Sequence, residues 1–249
     1  MTNNDVINAK IKELIDENRT VILESRGNGD MEAITYDGII KKGDESPEIL
    51  FLLKEPNDGR NSSKKQSVSP DDMFSFVETM RKEAEEQANC KPSKWKNLCY
   101  WAQAYYDAFE GTPHPFKHPE VQNCGSLLGN IAFANIKKVA GAERITEEFD
   151  KTVNNPHLQA LIRNEVDLIA PQIVVCCGTY KYAAESIFAA SIQRQGELDC
   201  GVEYFVYNNI FFVDFVHPFQ RGAAGKYSMT YAYAKEVFHD LVEQMRKSI

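Results

Sequence analysis

The sequence has no excess of basic residues, no long apolar run and few cysteines for its length. Lys and Arg number 28 against 36 Asp and Glu, a formal net charge of −8. The field of the whole molecule therefore opposes nonspecific attraction to a polyanion, and any nucleic-acid contact would need a local basic groove. No apolar stretch approaches the roughly 20 residues that span a bilayer. Residues Met1 to Asp5 carry neither the basic start nor the apolar block of a secretory signal. A cytoplasmic protein with no membrane association is expected. The six cysteines (Cys90, Cys99, Cys124, Cys176, Cys177, Cys200) contain no CxxC pair and are too sparse for the framework of a small secreted domain. Reduced thiols are expected. Of the five histidines, His114 and His118 flank a proline-containing loop with no acid or cysteine pattern beside it, so neither a metal nor another cofactor is expected.

What is present suits one large core. With 249 residues, 43% hydrophobic and 26% charged, the chain reads as a single domain over 1–249. Residues 1–45 are expected to form an N-terminal helix and hairpin extension. Ile7, Ile11, Leu14 and Ile15 share one face of a helix over 5–18. The β-prone pieces 20–23 and 33–36, among Gly27, Gly29 and the Asp37-Gly38 turn, predict a small hairpin. Apolar runs at 48–53, 131–136, 173–177, 202–207 and 210–216 predict strands, with an Asn208-Asn209 turn between the last two. Helices are expected from Ser69 to about Ala88, over 95–109, near 126–129, over 156–170 and 180–193, and at the carboxyl end, where Ala234, Val237, Phe238, Leu241, Val242 and Met245 recur at helical spacing.

Buried strands alternating with amphipathic helices predict an α/β fold: a three-layer α/β/α sandwich around a central, mostly parallel sheet, with right-handed crossovers. Ligands in such sheets sit beyond the carboxyl ends of the strands. Three hydrogen-bonding side chains fall there: Glu55, Asn135 and His217. A carboxylate can orient water, an amide can pair with a neighbouring donor and acceptor, and an imidazole can donate to an oxygen gaining negative charge. Plainer readings stand beside these. Glu55 could cap a helix or pair with Lys54, and Asn135 could satisfy backbone groups at a strand end. Lys137 (with Lys138), Arg221 and Lys226 are candidate phosphate contacts, or solvated surface charge.

In chain order, Leu52-Leu53-Lys54-Glu55-Pro56-Asn57, Ala132-Phe133-Ala134-Asn135-Ile136-Lys137-Lys138, Val174-Val175-Cys176-Cys177-Gly178-Thr179 and Val213-Asp214-Phe215-Val216-His217-Pro218 together resemble the uracil-DNA glycosylase superfamily, over roughly residues 48–245, with 60–125 looking like an enlarged helical insertion. The resemblance implies hydrolysis of the N-glycosidic bond of a deaminated or damaged base in DNA, single- or double-stranded, with the base flipped into a pocket. It implies that Glu55 positions the water, Asn135 reads the base edge, His217 stabilises the departing anion, and Phe74 or Phe76 stacks on the base. The sequence departs from the family pattern at several places. Glu55 is one methylene longer than the usual Asp or Asn, Lys54 and Asn57 flank it unusually, and Phe219 replaces a small residue. No cysteine precedes Cys90, so no iron–sulfur cluster is expected. Two other functions stay open: a noncatalytic base- or nucleic-acid-binding module, and a hydrolase of small nucleosides or nucleotides, which the acidic charge suits.

Overall fold

A computed structural model describes residues 1–25, 34–54, 74–85, 92–110, 127–139, 147–218 and 231–247. Helix α1 (Asn3–Glu17) starts at a capping box: the Asp5 amide donates to Thr2 Oγ1 at 3.3 Å while the Thr2 amide donates to Asp5 Oδ2 at 3.2 Å. Ile11 and Ile15 bury its inner face. The segment expected as a first hairpin strand is instead helix α2 (Arg19–Glu24). Its β-prone residues yield to packing: Ile22 is buried in the core and Val21 and Leu23 pack against it.

The rest of that expected hairpin is also corrected. Strands β1 (Thr35–Tyr36) and β2 (Gly38–Ile39) are separated by Asp37 alone and belong to different sheets. One residue cannot reverse the chain between paired strands. Strand β1 pairs in parallel with β4 (Phe74–Ser75), and β2 runs antiparallel to β5 (Ile131–Asn135). Gly38 is required here, because its φ is +145° and a Cβ would lie 2.4 Å from Asn8 Oδ1. The Asn8 amide of α1 accepts from the Ile39 N–H at 2.8 Å and donates to the Ile39 carbonyl at 2.9 Å, which covers the open edge of β2.

Among the described residues the main sheet has seven strands in the order β2-β5-β3-β6-β9-β8-β7. Strands β5, β3 (Ile49–Leu53), β6 (Ile173–Cys177) and β9 (Ile210–Phe215) run parallel at its centre. Strands β2, β8 (Glu203–Tyr207) and β7 (Arg194–Glu197) add antiparallel pairings, so the sheet is mixed. Asn208 and Asn209, at φ 49° and 62°, make the predicted turn between β8 and β9.

Alternation along the central strands divides the core in two. Phe51, Phe133, Val175 and Val213 face one side, where α3 (Phe76–Glu85), α4 (Pro92–Glu110) and α8 (Tyr231–Arg246) lie. Leu50, Leu52, Val174 and Phe212 face the other, covered by α1, α2, α5 (Glu147–Val153) and α6 (Pro156–Ile169). Adjacent Cys176 and Cys177 therefore enter opposite cores. On the first side Trp101 stacks edge-on against Phe215 at 4.9 Å. Helix α6 begins where expected: Asn155 accepts from the amides of His157 and Leu158, Pro156 follows, and the helix closes at Ala170 in the left-handed region.

Two further expectations change. The helix predicted over 180–193 is a short α7 (Tyr180–Tyr182) that widens into a π turn over Ala183–Ile187, followed by a 3-10 turn over Ala189–Ser191. The Phe188 amide donates five residues back to the Ala183 carbonyl at 2.9 Å. Phe188 thereby enters an aromatic cluster with Tyr207 at 4.8 Å and Phe212 at 4.7 Å. Phe74–Ser75 is a short strand rather than the middle of a helix; the expected helix start at 69–72 and the loop 60–68 lie outside the described residues. Among the described residues no helix is long and apolar enough to cross a membrane.

Candidate functional site at the carboxyl ends of the parallel strands

The chain enters the sheet centre at β3, steps to β5 on one side, then crosses back to β6 on the other. The switch point therefore lies between the ends of β3 and β6, where open α/β sheets leave a crevice. Backbone bonds knit this crest together. The Ile136 and Lys137 amides donate to the Leu53 and Lys54 carbonyls at 2.9 Å each, and Thr179 Oγ1 donates to the Leu52 carbonyl at 2.9 Å.

Gly178 ends β6 at φ +70°, and its amide donates to the Phe215 carbonyl at 2.6 Å. A Cβ at this position would lie 3.5 Å from the His217 nitrogen, so the His217 backbone passes directly over the turn. His217 is half-buried. Burial, and then the positive charge of Lys54, push its imidazole below the ordinary value of 6.5, which favours the neutral ring at pH 7. The Lys54 ammonium stands 5.0 Å from the centre of the Phe149 ring. The carbonyl of the buried Pro218 accepts from Asn97 Nδ2 at 2.5 Å, which ties the His-Pro end to α4.

Asn135 closes the crest on the β5 side. Its amide N–H donates to Asp37 Oδ2 at 2.7 Å and its side-chain Nδ2 donates to Asp37 Oδ1 at 2.6 Å. The Lys138 ammonium bridges Asp37 Oδ2 and Glu165 Oε2, at 2.6 Å to each. Burial alone would lower the Lys138 ammonium, but the two carboxylates reverse the sign and raise it above the ordinary lysine value. Burial pushes Glu165 up to about 7, with the Asp37 charge adding to the rise and Lys138 opposing it. Asn135 Oδ1 and Glu165 Oε1 are buried with no hydrogen-bond partner among the described residues. An acceptor left in that state costs roughly 1–3 kcal/mol.

The lysine pair departs from the expected rim of solvated cations. Lys137 is 1% and Lys138 2% exposed, and Lys138 spends its charge inside the protein. Asn135 and His217 stand at the carboxyl ends of β5 and β9. Strands β3 and β6 stand between β5 and β9, a span of three strand spacings or roughly 14 Å. The backbone of Phe74 and Phe76 reaches the Asn135 corner, because Tyr36 is in register with Ser75 and Asp37 comes next. Glu55, Arg221 and Lys226, together with His114 and His118, lie outside the described residues.

Sequence reasoning missed Asp37 and Glu165. Asp37 reads as a turn residue before Gly38. Glu165 carried a usable signal: it interrupts the apolar stripe of α6 beside Val166, and a buried acid needs a partner. Two open clefts among the described residues lie elsewhere. One of 430 Å³ runs between α1 and α6 beside Lys10 and Asn164, and one of 560 Å³ lies at the opposite end of the sheet beside Gln172 and Asn209. No group of three or more His, Cys, Asp or Glu that could hold a metal occurs among the described residues. Cys176, Cys177 and Cys200 are free, whereas Cys99 in α4 is disulfide-bonded, which corrects the all-reduced expectation. Burial raises the Cys176 and Cys177 thiols well above the usual range and leaves them poor nucleophiles.

Fold and crest together define an α/β sandwich with polar side chains gathered at the strand ends. No protein-family model matches the chain, and a search of curated proteins finds no match.

Proposed function

We propose that the crest binds a nucleobase and that the protein is a divergent uracil-DNA glycosylase-like hydrolase, cleaving the N-glycosidic bond of a deaminated or damaged base in DNA. One observation carries this reading: a half-buried His217, favoured as the neutral imidazole and standing in the field of Lys54. Glycosidic hydrolysis breaks the carbon–nitrogen bond with both electrons leaving on the base, while water adds to the sugar carbon as hydroxyl and the proton it sheds ends on the released base. A neutral imidazole N–H donating to a base oxygen, with a cation nearby, stabilises that anion as it forms. Glu55 follows Lys54 in the chain and is the residue that the sequence resemblance offers as the group orienting water.

Purified protein is assayed on single- and double-stranded oligonucleotides carrying uracil, hypoxanthine or xanthine. Base release is expected, falling by about 100-fold or more in His217→Ala. No release from any of these substrates would overturn the catalytic reading. The burial of Lys137 and Lys138 and the net charge of −8 favour a second reading, hydrolysis of small nucleosides or nucleotides. Turnover of free nucleosides without turnover of DNA would select it.

A further inference from the structure

We infer that the end of the sheet opposite the crest is a docking face for a second copy of this chain, with Phe109 of each copy seated in the 560 Å³ cleft of the other. A two-fold contact needs knob and hole on the same surface, because both copies present the same face. That condition is met here. Phe109 is 37% exposed and, among the described residues, shares this state with only two other large apolar residues, Met1 and Val6. Its ring stands 4.8 Å from that of Tyr105, whose hydroxyl donates at 3.1 Å to Gln172 Oε1 in the cleft wall. Met245 also lines the cleft, and the next residue, Arg246, donates from Nη2 to the Phe109 carbonyl at 3.5 Å. Ala170, Pro171 and Ile210 complete an apolar lining against which an aromatic ring loses its contact with water.

Charge decides what fits this cleft. Its lining holds no basic residue among the described residues. Asp167 stands in the wall with both oxygens fixed: Oδ2 accepts from the Tyr207 hydroxyl at 2.9 Å and Oδ1 from Asn208 Nδ2 at 3.2 Å. Helix α6 ends there at Ala170, and its last carbonyls add partial negative charge. The knob carries the complement. The Arg246 side chain is 56% exposed, and its pairing with Glu243 at 3.0 Å runs through Nη1 alone. Seating Phe109 in the other copy's cleft brings the Arg246 guanidinium towards Asp167 of the partner subunit, and two-fold symmetry makes this pair twice. A copy of this chain therefore supplies both the apolar ring and the cation that the cleft lacks.

Sedimentation equilibrium of the full chain, run from roughly 1 to 500 µM, reads the association. A monomer–dimer equilibrium is expected, weakened about 100-fold or more in Phe109→Asp and unchanged in Val6→Asp, a residue of similar exposure on α1. Arg246→Asp and Asp167→Arg each set like charges against one another and are expected to weaken the dimer about tenfold or more. Both changes together reverse the pair and are expected to restore association to within about threefold of wild type. Circular dichroism checks that each variant keeps its fold. Asp167→Asn keeps an acceptor for Tyr207 and serves if Asp167→Arg does not fold, with a weakening of about tenfold expected. A chain that stays monomeric throughout, a dimer that Phe109→Asp leaves intact, or a folded double variant no stronger than the single ones would each overturn the inference.

Discussion

Asn135 gives both its main-chain N–H and its side-chain Nδ2 to the two oxygens of Asp37, a residue 98 positions earlier in the chain. The carboxylate is shared with Lys138, whose ammonium also holds Glu165, so the end of β5 is anchored by charged groups with almost no access to water. Such clusters contribute little net stability when complete, but removing one member leaves charge stranded in a poor solvent.

Lys138→Met strands two carboxylates around an apolar side chain. It is expected to lower the unfolding free energy by roughly 3–5 kcal/mol, with Lys138→Met/Glu165→Gln recovering part of the loss. Urea denaturation of the single and double variants checks this. A single variant within 1 kcal/mol of wild type, on the order of an ordinary surface change, would show that the cluster is solvated in solution.

The raised Glu165 makes stability fall as pH rises. Its ordinary value is 4.5 and its folded value about 7. Below 4.5 the folded and unfolded chains both hold the proton, and the contribution is complete. Between 4.5 and 7 the unfolded chain releases its proton first, so the contribution is lost as pH rises through the folded value. The difference in stability between pH 4.5 and 7.5 is expected to contain about 3 kcal/mol that disappears in Glu165→Gln. Denaturation of both proteins at the two pH values measures it, and identical pH dependence would contradict the assignment.

His217 reports on the crest directly. Replacing Lys54 with Met removes the second cause of its lowered value while leaving burial, so the imidazole is expected to move towards 6.5 without reaching it. NMR titration of the ring protons follows this. No movement would mean that the Lys54 charge does not reach the ring.

Gly178→Ala forces a side chain into the left-handed region at φ +70° beneath the His217 backbone. A cost of about 1–2 kcal/mol from the strain is expected, together with perturbed His217 resonances. Thermal unfolding and the same NMR spectra test both parts, and an unshifted His217 would show that the two strand ends move independently.

Much of the fold was legible because its cues are local. The runs 49–53, 131–134 and 173–177 are apolar throughout, as a strand buried on both faces must be, and α6 carries its cap, its Pro156 and its apolar stripe within one short segment. Strand β7 was illegible for the opposite reason. All four of its residues are exposed, and only its pairing with β8 makes it a strand. Thr20 to Leu23 was misleading, since β-branched residues there pack as well in a helix once Ile22 reaches the core.

The sequence alone determined the α/β class, the order of the central elements and the placing of Asn135 and His217 at strand ends, because hydrophobic period and strand termination are set by near neighbours. Tertiary structure decided the mixed pairing of the sheet, the separation of Asn135 from His217 by two intervening strands, and the burial of Lys137 and Lys138. It also decided that Asn135 answers to Asp37. A carboxylate finds its donors through space, and no local pattern records a bond formed across 98 residues.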